Sequence, residues 1–256
     1  MCHDHDSRPP APPRTGEVRE RGVLTLTSAD GTEFSAAYAA PAEAPRVGVV
    51  VLPDVRGLHP YYVALAERFA ETGAAAVAFD YFGRTAGVAD GGVRGEDFVF
   101  RPHVDALAAD DVDTDLGAAI AYLRQRTEPD LPVVTVGFCL GGSLSWRQSG
   151  GELDVAGCVG FYGRPSVVGD AASRARRPTV MLIAGADKAT PVDSPTGWSG
   201  RSRRSPPRSE GSLWEAIAPR WLGARNSATT PTSGRRSRTD PNSTTASPAL
   251  RMMPGT

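Results

Sequence analysis

The chain has 256 residues, of which 40% are hydrophobic and 22% charged, with a formal net charge of -1. That is enough chain for one α/β domain with a sizeable core, and the balance gives no electrostatic bias toward nucleic acid or a membrane surface. No apolar run approaches the roughly 18 residues needed to span a bilayer, and the polar N-terminus lacks a secretory h-region.

Residues 1–20 are polar and proline-rich, which predicts a disordered arm. Cys2, His3 and His5 cluster there, but no second cluster completes a tetrahedral site, so no metal is expected. Two alternating segments over 23–39 flank Asp30-Gly31, a hairpin dipeptide. The continuous β-branched run at 47–52 has the pattern of a buried parallel strand. Residues 60–72 repeat apolar positions at helical spacing, and Gly73 ends the pattern. A strand is predicted over 75–82, a Gly- and Asp-rich loop over 87–102, and a helix over 104–126 with Leu116, Ile120 and Leu123 on one face. A strand over 132–138, a helix over 140–148 and strands over 155–163 and 179–185 complete the pattern. Strand and helix alternate, which predicts a mostly parallel sheet with helices on both faces and ligands at the carboxyl ends of its strands.

The residues that follow those strands carry the chemistry. Val136-Gly137-Phe138-Cys139-Leu140-Gly141-Gly142 is a G-x-nucleophile-x-G elbow between a strand and a helix, with cysteine as the nucleophile. The helix start turns its amides toward Cys139, which favours a thiolate. Cys158, in mid-strand, reads as a small core hydrophobe. The sparse, odd set Cys2, Cys139 and Cys158 points to free thiols in a reducing cytoplasm. Asp187, in Ala184-Gly185-Ala186-Asp187, follows the last strand in the chain order expected of a triad acid. Asp54, in Leu52-Pro53-Asp54-Val55-Arg56-Gly57, leads the loop that supplies one oxyanion amide, Val55, while Leu140 supplies the other.

Taken together, LPDVRG, FDYFGR, VGFCLGG, VGFYG and AGAD resemble the dienelactone hydrolase (carboxymethylenebutenolidase) family over roughly residues 23–193. The resemblance implies an eight-stranded α/β-hydrolase fold, a Cys-His-Asp triad and attack on a lactone or ester carbonyl without a cofactor. It implies that Cys139 is the nucleophile, Asp187 the triad acid and Arg84 the arginine that holds a substrate carboxylate. Asp54 stands where the type member has a glutamate holding the resting thiol's proton. The expected partner is a small ester or lactone, with a cytoplasmic monomer and no nucleic acid or membrane.

The family's triad histidine has no counterpart. His3, His5, His59 and His103 all precede Cys139. His59 is expected to cap the helix beginning at Pro60. From Ser194 the alternating pattern gives way to Ser, Arg, Thr, Pro and Gly, with ten arginines against Glu210, Glu215 and Asp240. The expected organisation is therefore an arm (1–20), a hydrolase domain (21–193) incomplete at its C-terminal end, and a disordered tail (194–256). A frameshifted tail, a genuine basic tail and an enzyme with a relocated base, His59 or His103, are three readings of this ending. Impaired turnover follows from the missing histidine; the alternative is a catalytically inactive binding protein.

Overall fold

The computed structural model describes residues 6–13 and 15–183. Asp187 and the segment after Ser194 lie outside the described residues, as do Cys2, His3 and His5. An antiparallel hairpin, β1 (Val18–Thr27) and β2 (Glu33–Pro41), leads into β3 (Gly48–Leu52), α1 (Pro60–Glu71) and β4 (Ala75–Phe79). Short helices α2 (Gly83–Ala86) and α3 (Arg101–Asp105) precede the long α4 (Ala109–Arg126). Then come β5 (Val133–Phe138), α5 (Leu140–Arg147), β6 (Gly157–Phe161), α6 (Pro165–Val168) and β7 (Thr179–Leu182).

Among the described residues the strands form one sheet in the order β1-β2-β4-β3-β5-β6-β7. β2 runs antiparallel to β4, and every pairing from β4 through β7 is parallel. The eighth strand expected from the resemblance has no counterpart within this described sheet. The continuous apolar runs behave as expected of strands covered on both faces. Val49 and Val51 point to one core and Val50 and Leu52 to the other. The first core is closed by α1 through Tyr61, Tyr62, Leu65 and Phe69. The second is closed by α4 through Val112, Leu116, Ile120 and Leu123, with Leu144 of α5 beside it. Full burial of a side chain such as Leu65 contributes about 1.5–3 kcal/mol.

Two boundaries differ from the sequence expectation. β1 begins at Val18, inside the proline-rich arm, and Glu20 pairs with Ala40. Ahead of it Pro9 and Pro12 are buried, and the Gly16 N–H donates to the Glu71 carbonyl at the end of α1 (2.7 Å). The helix expected over 104–126 is two helices, because Ala108 is extended (φ -93°, ψ 133°) and starts α4 afresh.

Candidate active site

Register brings three loops together. Leu52 of β3 lies beside Gly137 of β5, and Phe138 lies beside Phe161 of β6, so the chain leaves three adjacent parallel strands at one level. The Gly141 N–H donates to the Pro53 carbonyl (3.1 Å), and the Cys139 N–H donates to the Phe161 carbonyl (2.9 Å). Cys139, Asp54, Val55 and Leu140 therefore meet at the carboxyl edge of the sheet, where ligands bind in folds of this kind.

Cys139 occupies a strained turn, with φ 54° and ψ -115°, immediately before α5. The elbow is possible because its glycines lack side chains. A Cβ on Gly137 would collide with the Gly141 carbonyl, and one on Gly141 would collide with the carbonyls of Leu52 and Pro53. Cys139 as a whole is half-buried. Burial pushes the thiol's pKa above its ordinary value and Asp54 adds to the rise, while the Leu140 N–H and the charge of Arg164 work against it. The Leu140 N–H at the helix start thus works toward the thiolate, but burial outweighs it. Cys158 is fully buried in β6, and burial pushes it up to about 12. It is the core cysteine the sequence suggests.

Asp54 is fully buried and clamped by Arg56. The Arg56 Nε–H donates to Oδ1 (3.0 Å), Nη2 donates to Oδ2 (2.8 Å), and the Arg56 main-chain N–H donates to Oδ1 (2.9 Å). This forked pair is the strong geometry for arginine and carboxylate. The Asp54 N–H donates to the Tyr62 hydroxyl of α1 (3.1 Å), and the Tyr81 hydroxyl donates to the carbonyls of Pro53 (2.9 Å) and Asp54. The loop is thus held at its backbone and at its carboxylate. Among the described residues neither the Val55 nor the Leu140 N–H donates to another main-chain carbonyl.

Arg84 sits in α2 with its guanidinium already engaged. Nη1 pairs with Asp30 and donates to the Thr32 hydroxyl (2.9 Å), and Nη2 pairs with the buried Asp115 (2.8 Å). His59 caps α1, its Nδ1 accepting the Tyr61 N–H (3.2 Å). His103 stacks on Phe98, with ring centroids 5.2 Å apart. The sequence pattern did not single out Arg56, Tyr62 and Tyr81, which hold the Asp54 loop, or Arg164, whose charge acts on the thiol. Only Arg56 carried a local signal, since it lies two residues beyond Asp54 in the same loop. Among the described residues no group of three or more His, Cys, Asp or Glu could hold a metal, and no helix is long and apolar enough to cross a membrane.

A mostly parallel sheet in this strand order, with a nucleophile elbow after its central strand, defines an α/β-hydrolase. The Dienelactone hydrolase family profile matches residues 34–199, and the chain belongs to that family. It is 32% identical over 146 residues to carboxymethylenebutenolidases of Pseudomonas putida and of Pseudomonas knackmussii, matching 55% of this chain and 60% of each relative. The chain thus spans about three fifths of the length of the curated relatives it matches. Among solved structures, a cold-adapted esterase from an Arctic intertidal metagenomic library superposes with a TM-score of 0.59 at 18% identity, over 79% of this chain and 94% of that one. A dienelactone hydrolase-like promiscuous phosphotriesterase from metagenomic libraries superposes with a TM-score of 0.53 at 21% identity, over 68% and 73%.

Proposed function

We propose that the site performs acyl transfer from a small ester or lactone to Cys139. The observation that carries this reading is the strained Cys139 turn, with the Leu140 N–H directed at its sulfur and Asp54 close enough to act on its thiol. Cys139 Sγ attacks the carbonyl carbon, and the Val55 and Leu140 amides hold the oxyanion. One such donor contributes about 2.7–4 kcal/mol to the transition state. The tetrahedral intermediate collapses to a thioester as the C–O bond to the leaving oxygen breaks. The thiol proton passes to Asp54 or to water. Asp187, by its place in the chain, is the acid that would orient a histidine, and Arg84 is the family's arginine for a substrate carboxylate. Attack by water on the thioester needs a base, and these 256 residues contain no histidine after Cys139. Acylation therefore outruns hydrolysis.

Incubation with p-nitrophenyl acetate tests this. The expected result is about one equivalent of p-nitrophenolate released in a burst, with an acetyl group on the Cys139 peptide by mass spectrometry. An unmodified Cys139, or the same burst from C139A, would leave the binding-protein reading standing.

A further inference from the structure

Both main-chain polar groups of Cys139 are tied to the segment that leaves β6. Its N–H donates directly to the Phe161 carbonyl (2.9 Å). Its carbonyl is tied through Ser143, near the start of α5. The Ser143 N–H makes the ordinary first bond of the helix to that carbonyl (3.1 Å), and the Ser143 hydroxyl adds a second, longer one (3.3 Å). The same hydroxyl accepts the Arg164 N–H (2.7 Å), three residues beyond Phe161. A serine bonding back to the carbonyl four residues earlier is common in helices. The contact from β6 is what sets this one apart, because accepting from Arg164 on one side turns the single hydroxyl proton toward Cys139. Glycines make the approach possible. A Cβ on Gly163 would lie 2.6 Å from the Ser143 nitrogen, and one on Gly142 would lie 2.5 Å from the Phe161 carbonyl oxygen. Ser143 is buried, so water does not compete for these bonds.

We propose that Ser143 is a positioning residue, which locks the Cys139–Leu140 peptide to the exit of β6 and so aims the Leu140 N–H. A trans peptide is planar, so its carbonyl and its N–H point in opposite directions. Donors that fix the Cys139 carbonyl from inside α5 therefore fix the direction of the Leu140 N–H on the other side. The lock matters because φ at Cys139 is 54°, a conformation that persists only where the surroundings impose it. Without the hydroxyl the carbonyl keeps its helical bond but loses the tie to Arg164, and the peptide can tilt. Ser143 itself touches no substrate. The inference rests on the acyl-transfer reading, in which the Leu140 amide holds the oxyanion.

The experiment takes the ratio of two rates at one pH, the p-nitrophenyl acetate burst and the alkylation of Cys139 by iodoacetamide. Both steps consume the same thiolate, so a change in thiol acidity cancels, and only the first forms an oxyanion. The ratio is expected to fall about three- to tenfold in S143A, the size expected of one hydrogen bond, and to be largely kept in S143T, which retains the hydroxyl. The control is S145A. Ser145 lies in the same helix and its buried hydroxyl donates to the Val159 carbonyl of β6 (2.9 Å), so its loss weakens the same packing without touching Cys139. S145A should leave the ratio unchanged. An unchanged ratio in S143A, or an equal fall in S145A, overturns the assignment. Labelling of the buried Cys158 reports an opened core. If S143A opens it, R164P takes its place, deleting from an exposed position the N–H that turns the hydroxyl. The ratio should then fall, and an unchanged one overturns the assignment. Absence of a burst in the wild type would instead remove the acyl-transfer reading and this one with it.

Discussion

Cys139 and Tyr162 are the non-glycine residues among those described whose backbones take positive φ, 54° and 42°, and they follow adjacent parallel strands. They share an anchor. The Cys139 N–H donates to Phe161, the residue before Tyr162, and the Tyr162 N–H donates to Leu182 of β7 (2.7 Å). Conformations of this kind cost about 1–3 kcal/mol each and persist only where the surrounding structure fixes them. Here the fixing is done by parallel pairing on both sides of β6.

The strain at Cys139 has a measurable consequence. C139G and C139A both remove the thiol, but only glycine accepts φ 54° without strain. Glycine's greater freedom in the unfolded chain offsets part of that gain, by about 0.4–1 kcal/mol. C139G is therefore expected to be more stable than C139A by about 1 kcal/mol in urea unfolding. Equal midpoints, or a less stable glycine variant, would mean that the turn is not strained at this residue.

Asp54 and the thiol make a second prediction. The Cys139 pKa is raised, and a thiol is neutral when protonated, so alkylation should keep accelerating as pH climbs past the ordinary value of about 8.5. D54N removes a charge that raises the thiol and leaves the Arg56 cation nearby. Its labelling curve should move to lower pH, with several-fold faster reaction of iodoacetamide at pH 7.5. The same change strands a buried arginine and should cost about 3–5 kcal/mol of stability. Cys158 separates the two effects, because it reacts only if the core opens. A curve that does not move would remove Asp54 from the thiol's chemistry.

Much of this was legible in the residues. β3, β4, β5 and β6 are covered on both faces, so their sequences are continuous apolar runs that need no tertiary information to read. The turn at Asp30-Gly31, the cap at His59 and the elbow at Cys139 are local chemistry. The arm misled because composition describes what a free chain would do, and Val18–Thr27 is ordered by its pairing to β2. The break at Ala108 carries neither Gly nor Pro and leaves the apolar spacing intact. Tyr162 and Arg164 join the site only through the register of β6 against β5, and register between distant strands is not written in either one. Arg84 shows the converse limit. Its place in the motif was readable, but its engagement by Asp30 and Asp115 depends on where α4 packs.

A third prediction concerns the support beneath the loop that carries Asp54 and Val55. Arg94 pairs with the fully buried Asp80, with Nε 2.8 Å from Oδ2, and lies 4.7 Å from the Phe98 ring centroid. Its main-chain N–H donates to the Leu58 carbonyl (2.9 Å), which links this pair to the loop carrying Asp54 and Val55. Burial raises the Asp80 pKa even with Arg94 lowering it. R94M would leave a buried carboxylate unpaired, at a cost of about 3–5 kcal/mol near neutrality. A carboxylate whose folded pKa lies above its unfolded value stabilises the fold below the unfolded value and loses that contribution as pH rises through the folded one. The R94M deficit should therefore shrink between pH 7.5 and pH 4.5 in urea titrations, and D80N in the same background should restore much of it. A deficit independent of pH would assign the loss to packing on Phe98 rather than to charge.

The last prediction follows from the absence of histidine after Cys139 in these 256 residues. A positioned base contributes about 10²–10⁴-fold to a proton-transfer step, and in the proposed reaction the step without one is attack by water on the thioester. Turnover of p-nitrophenyl acetate after the burst should therefore be slow and limited by deacylation. Free imidazole supplied in solution should accelerate it, in proportion to the neutral form, so that the gain grows as pH rises through imidazole's own titration. C139A gives the background, because imidazole attacks activated esters unaided. If steady-state turnover is fast without imidazole and does not respond to it, another group in the folded chain is already serving as base. His59 would be the first to replace by glutamine, since its Nδ1 caps α1 beside the Asp54 loop while its ring is buried.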